Sequence, residues 1–174
     1  PADVRIPLQG HFATKDDWCT PALVDGFEKA MKAAGVVPSH GAVVEVDIPD
    51  TASGFKHRTE VVYLPPAWFA RNTPPLPAVM MIAGEFNTPA DWLRIGNVAN
   101  LFDNFATAHG GNAPVFVFVD AGGSFNNDTE CVNGPRGMAA DHLTKDVVPF
   151  VTSTFSASPV TKPPHGPIAV RANE

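Results

Sequence analysis

The chain has 174 residues and a mass of 18.4 kDa, with 44% hydrophobic and 17% charged residues. That is enough apolar material for one packed domain and too much for wholesale disorder. Twelve Lys and Arg against 18 Asp and Glu give a formal charge of −6, and no basic cluster offers a footprint for nucleic acid or for an anionic membrane face.

The longest apolar runs, 77–83 and 115–119, fall far short of the roughly 20 residues that cross a bilayer. No signal peptide is recognisable. A chain that opens on Pro1 without Met is expected to have been processed or excised from something longer. Cys19 and Cys131 are either two unrelated thiols or one long-range bridge, which an exported protein would permit. Neither belongs to a CxxC pair, so no thiol-based metal site is expected. The 18 prolines, about twice the usual share, divide the chain into short elements.

Residues 1–20 lack periodicity and read as an irregular arm. Thr20-Pro21 caps a helix on which Leu23, Val24, Phe27, Ala30, Met31 and Ala34 recur at helical spacing, and Gly35 stops it. Residues 41–48 alternate Val44, Val46 and Ile48 with Glu45 and Asp47, the period of a strand with one wet face. A loop over 49–58 leads to a second strand, 59–64, and the two are expected to pair as an antiparallel hairpin. Residues 78–83 are apolar without alternation, as in a strand buried on both faces. A helix over 91–109 should turn Ile95, Val98, Leu101, Phe102 and Phe105 inward. Residues 114–119 read as another buried strand. A helix over 139–155 carries Leu143, Val147, Val148, Val151 and Phe155 inward with Pro149 inside it, and 167–170 begin a third buried strand. The expected fold class is therefore α/β: an N-terminal antiparallel β-hairpin, then a parallel βαβαβ sheet.

Ligands in such sheets bind at loops beyond the carboxyl ends of the strands, here 84–89 and 120–137. Gly84 either exposes the amides that follow it, as an oxyanion requires, or only allows a tight strand exit. The second loop is long and polar. Its Asp128 and Glu130 lack the spaced oxygen ligands of a calcium loop, and Ser124 follows Gly-Gly rather than sitting in G-x-S-x-G, a poor context for a nucleophile. The six histidines are scattered, and each reads as a surface residue; Asp141 and His142 point apart on a helix and form no dyad. No cofactor and no metal are expected.

The strings VVYLPPAWF, LPAVMMIAG with PADW, AHGGNAPVFVFVDAGG, and DTECVNGPRG leading into HLTKDVVPFV resemble the esterase-type α/β-hydrolase domain of actinobacterial envelope proteins. That group is related to esterase D and to the mycobacterial mycolyltransferase antigens. The resemblance covers about residues 41–160. After the N-terminal arm and helix over 1–40, it implies the N-terminal part of an α/β-hydrolase fold over 41–174, incomplete at its C-terminal side. It also implies a secreted or envelope-associated protein, with any membrane tether outside this chain and an acyl ester or envelope lipid as substrate.

The oxyanion amide would be that of Glu85, or of Phe86 one residue on. Phe86, Trp92, Phe125 and Ser124 would wall the acyl pocket. Ala83 and Phe86 stand where the mycolyltransferases carry an acidic residue and an Arg used on their sugar, so trehalose recognition is not implied. The G-x-S-x-G elbow should follow the strand at 167–170, yet Arg171 or Asn173 falls at the nucleophile. The acid and His that come later in this fold are likewise missing from the sequence. By this resemblance the chain would be inactive alone, one part of a serine esterase or acyltransferase. The alternative is a non-catalytic envelope binding or assembly module on the same scaffold. An exposed half-sheet edge favours pairing, so a homo-oligomer or a missing C-terminal half is expected. Export would leave Cys19 and Cys131 bridged.

Overall fold

The computed structural model describes residues 37–72 and 75–158, together with 26, 29–30, 33–35 and the backbone of 11–12 and 170–171. Strand β1 (His11–Phe12) lies parallel to β2 (Ala42–Val46), so part of the expected irregular arm belongs to the sheet. Residues 26, 29–30 and 33–34 are helical, and Gly35 at φ 68° ends that stretch in the left-handed region. Ala30 and Ala34, expected to face inward, are exposed there. Leu23, Val24, Phe27 and Met31 lie outside the described residues.

β2 runs antiparallel to β3 (Glu60–Leu64), with Ala42 opposite Leu64 and Val46 opposite Glu60. A 3₁₀ turn (Pro66–Phe69) leads on to β4 (Ala78–Ile82). Two helices follow, α1 (Asp91–Arg94) and α2 (Val98–Ala108), and then β5 (Val115–Val119). A two-stranded ribbon of β6 (Asn133–Gly134) and β7 (Gly137–Met138) precedes a continuous helical segment. That segment comprises α3 (Ala139–Asp141), a π-helical stretch (His142–Val147) and α4 (Val148–Thr154). β8 (Val170–Arg171) pairs parallel with β4, as β5 does, while β3 lies antiparallel to β5. The six-stranded order is β1-β2-β3-β5-β4-β8, a mixed α/β architecture with antiparallel and parallel strands.

Both faces of the central strands are covered. On one face Val62, Leu64, Val115, Val117, Val119 and Ile82 pack with Leu143, Val147, Val151 and Phe155. On the other, Val61, Tyr63, Met81 and Phe118 pack with Val98 and Phe102. The Phe102 ring stacks on Phe116 with centroids 3.6 Å apart. Every residue of β3 is buried, Glu60 included, as burial on both faces demands.

Three expectations are corrected. The single helix over 91–109 is broken at 95–97, where Asn97 takes φ 49° and a Cβ on Gly96 would sit 2.6 Å from the Trp92 carbonyl oxygen. The break separates Ile95 from α2, whose buried face is Val98, Phe102, Asp103 and Ala106. Val98 and Phe102 face the core, but Ile95 (71% exposed), Leu101 (62%) and Phe105 (48%) face outward. β4 is buried only at Met81 and Ile82, its first residues lying at or near the surface. The last helix widens to π geometry just before Pro149, which has no N–H to give the carbonyl four residues back; Val148 is only half-buried. Residues 167–169 lie outside the described residues. Among the described residues no helix is long and apolar enough to cross a membrane.

Candidate active-site cleft

The connection leaving β4 crosses to the Tyr63–Phe102 face, and the connection leaving β5 crosses to the opposite face with Leu143 and Val147. Adjacent parallel strands whose exits part in this way form a topological switch point, where the crevice between the two loops is not filled by either. A cleft of about 640 Å³ opens there, between the last residues of β4 and β5, Ile82 and Val119. Its walls are Ala83–Glu85 and Asn87 from the first loop, Asp120–Gly122 and Asn127–Cys131 from the second, and Arg58 from the segment entering β3.

The first loop makes a β-turn in which the Asn87 amide donates to the Gly84 carbonyl at 3.0 Å. Neither Glu85 nor Phe86 takes a positive φ, and neither amide has an acceptor among the described residues. The Thr88 amide donates to the Asp91 carboxylate at 2.8 Å, which closes the loop onto α1. That bond first, and then Arg94 and the Thr88 hydroxyl, hold the Asp91 carboxyl below its usual range against the opposing effect of burial.

The second loop is organised by Asp120, 2% exposed at the end of β5. Its Oδ2 accepts the Arg58 amide at 2.7 Å, Arg58 Nε at 3.0 Å and the Gly123 amide at 3.0 Å; Oδ1 accepts Arg58 Nη2 at 2.7 Å and the Gly122 amide at 3.1 Å. Burial is the largest single influence on this carboxyl and acts to raise its pKa, but the Arg58 fork, the Arg58 amide and the Gly122 amide outweigh it and hold the group ionised below its usual range. Arg58 Nη2 also donates to the Asn87 carbonyl at 3.1 Å, so one guanidinium ties both cleft loops together. Gly123 is required where it stands: φ is 75°, and a Cβ would lie 2.5 Å from the Lys56 carbonyl oxygen.

Behind Asp120 lies a largely enclosed polar set. Glu60 Oε1 accepts the Asp120 amide at 3.1 Å and His142 Nε2 at 3.0 Å. His57 stacks on His142 with centroids 4.4 Å apart and planes 19° from parallel. The side chains of His57, Glu60 and His142 are 5%, 0% and 0% exposed, which corrects the surface reading of these two histidines. Asp146, one turn beyond His142, accepts the amides of Ala52 and Ser53.

His57, Glu60 and His142 offer ligand atoms within 4.8 Å of one another, yet they do not fit a metal. Nearly parallel stacked rings do not converge their lone pairs on one point. Both His57 nitrogens face carbonyl oxygens, Ile48 at 2.7 Å and Arg58 at 3.0 Å, which take up the directions a metal would need.

Of the residues singled out in the sequence, Glu85 lines the cleft. Phe86 and Phe125 are 60% and 72% exposed, with rings 5.6 Å apart, and stand outside the cleft lining. Trp92 lines an adjoining hollow of about 140 Å³ that shares Ala83, Gly84 and Asn87 with the cleft, and its buried indole nitrogen has no partner among the described residues. Ser124 is exposed and outside the lining. Cys131 lines the cleft; Cys19 lies outside the described residues, and with it the expected bridge. Asp128 accepts the Glu130 amide, and Glu130 pairs with Arg136. Asp141, joined to Asn133 and Lys145 at the surface, stands apart from buried His142. A Ser–His contact occurs between sequence neighbours, Ser39 Oγ to His40 Nδ1 at 2.9 Å, in an exposed stretch away from the cleft. Arg58, Asp120, Glu60 and the two buried histidines were not found from sequence; the available signal was a Glu heading an otherwise apolar strand, EVVYL.

No family model matches the chain. It is 31% identical over 119 residues to an uncharacterized protein of Corynebacterium glutamicum, a stretch that is 66% of this chain and 28% of that one. The chain thus spans little more than a quarter of that relative's length. Among solved structures it is similar to a ferulic acid esterase, with a TM-score of 0.54 at 18% identity over 68% of this chain and 44% of the other. The fold is accordingly esterase-like.

Proposed function

We propose that this chain forms part of an esterase-like hydrolase, binding a carboxylic ester in the cleft between the β4 and β5 loops and presenting the Glu85 amide to the oxyanion. The observation that carries this reading is the switch-point cleft, with an amide at the mouth of β4 that no described group uses. The esterase-like fold supports it. Asp120, saturated by five donors, is a scaffold group rather than a general base. Thr129 Oγ1 donates to the Ala121 carbonyl at 2.6 Å, and among the described residues no hydroxyl in the cleft is paired with a histidine. This reading therefore gives the described residues binding and oxyanion roles and assigns the nucleophile elsewhere.

Glu85 is the second residue of the Gly84–Asn87 turn, the position that accepts proline most readily. Glu85→Pro removes the amide hydrogen while keeping the turn. In the protein expressed over its whole reading frame, hydrolysis of p-nitrophenyl butyrate should fall about 10²–10³-fold in kcat, with KM little changed, as for loss of one oxyanion donor. No turnover by the unsubstituted protein, or full turnover by Glu85→Pro, overturns the assignment.

A further inference from the structure

The geometry points to Glu60 as the positioning residue of the cleft, holding the Asp120 amide only while a charged His57 stands beside it. Carbonyl oxygens accept and never donate, so a ring with Ile48 O at 2.7 Å from Nε2 and Arg58 O at 3.0 Å from Nδ1 is an imidazolium. Its counter-charge is Glu60, whose Oε2 lies 3.7 Å from His57 Nδ1 and accepts no hydrogen bond among the described residues. A carboxylate with no exposed surface is costly without such a partner.

Glu60 hands the effect on. Its Oε1 fixes the Asp120 amide, Asp120 fixes Arg58 and the amides of Gly122 and Gly123, and Arg58 reaches the Asn87 carbonyl in the other loop. The charged and titratable groups around the stack are Glu60 on β3, Asp47 after β2, Arg58 beside it in the chain, and His142 and Asp146 on the π-helical turn, with His142 Nδ1 3.5 Å from Asp146 Oδ2. This inference concerns the shape of the cleft and stands whether or not an ester is the ligand.

Burial, the largest single influence on His57, favours its neutral form. The Arg58 carbonyl, Glu60, the Ile48 carbonyl and Asp47 together overturn it and raise the pKa above 6.5. A raised value means that the stabilisation is complete below pH 6.5 and is lost as pH climbs from there through the folded midpoint.

The test follows imidazole nitrogen shifts and amide exchange in the labelled full chain between pH 5 and pH 9. At pH 5.5 both His57 nitrogens should be protonated. Exchange protection, corrected for intrinsic rate, should be constant below pH 6.5 and fall about tenfold per pH unit from there to the His57 midpoint. That fall should appear at the Asp120, Gly122 and Gly123 amides and at Arg58 Nε, and not at α2 amides such as Phe102. Glu60→Gln should lower the His57 midpoint and flatten the profile. Asp47→Asn, at an exposed position, should lower both together by less and keeps the test open if Glu60→Gln does not fold. Cleft protection that ignores His57 titration, a loss equal at α2, or stoichiometric zinc bound at the His57–His142 stack would each overturn the inference.

Discussion

Arg58→Met isolates the fork that ties the two cleft loops. The substitution keeps most of the aliphatic stem and removes two charge-assisted hydrogen bonds to Asp120, at 3.0 and 2.7 Å, leaving a carboxylate that is 2% exposed. Bonds of that kind contribute about 1.5–3 kcal/mol each, so the gross loss is about 3–6 kcal/mol. Arg58 is 26% exposed, and solvent screening together with the three backbone donors that remain on Asp120 reduces the expected net loss to about 2–3 kcal/mol. For a domain of this size that is about 5–10 °C in Tm. The assay is urea unfolding at pH 7, 5.5 and 3.

A carboxyl held below its usual range contributes stability that is present above its unfolded value, about 3.9, and is lost as pH falls through the folded value. The difference between wild type and Arg58→Met should therefore persist at pH 5.5 and shrink below about pH 4. Adding Asp120→Asn removes the stranded charge, so the double variant should lose less than the two singles summed, by about 1.5 kcal/mol or more. A loss under about 0.5 kcal/mol for Arg58→Met, or strict additivity, would refute the reasoning.

Tyr63, the sole tyrosine, is wholly buried and donates to Asp103 Oδ1 at 2.8 Å; burial, followed by Asp103, pushes its pKa well above 10. Ultraviolet titration should show no phenolate until the protein unfolds, and Tyr63→Phe should cost about 2 kcal/mol in urea unfolding. The outward turn of α2 predicts that Leu101→Lys changes stability by no more than about 0.5 kcal/mol, whereas Phe102→Ala, one residue on and stacked against Phe116, costs about 3–5 kcal/mol.

The strand at 115–119 is legible because a strand covered on both faces needs an unbroken apolar run, and β5 reads VFVFV; the run at 78–82 marks a strand as well, although only Met81 and Ile82 of it are buried. The helix over 91–109 was misread for a related reason. Ile95, Leu101 and Phe105 keep helical spacing, but a left-handed Asn97 separates Ile95 from α2, and α2 buries Val98, Phe102, Asp103 and Ala106 rather than the stripe of Leu101 and Phe105. Periodicity marks the apolar residues but not which of two neighbouring stripes the sheet covers. The loops after β4 and β5 can be named as cleft walls from strand order alone, while Glu85 is singled out by the family resemblance. The histidines could not: His142 is buried by contact with Glu60, 82 residues away in sequence, and nothing local distinguishes it from a surface imidazole.

The antiparallel strand explains why buried charge collects under this cleft. In a wholly parallel sheet every strand presents its carboxyl end to the ligand edge, and the segment entering each strand lies on the far side. β3 runs the other way, with Val61 opposite Phe118 of β5, so its first residue, Glu60, lies beside the end of β5, and the segment before it, His57–Arg58, arrives at the cleft. Glu60 heads a strand covered on both faces and cannot reach water. Its Oε1 needs donors equally enclosed, and the π-helical turn supplies one by directing His142, with Asp146 four residues on, inward. Strand direction thus places Arg58 between the loops, and placing Arg58 there brings with it a buried carboxyl group, Glu60, against which His142 and His57 pack.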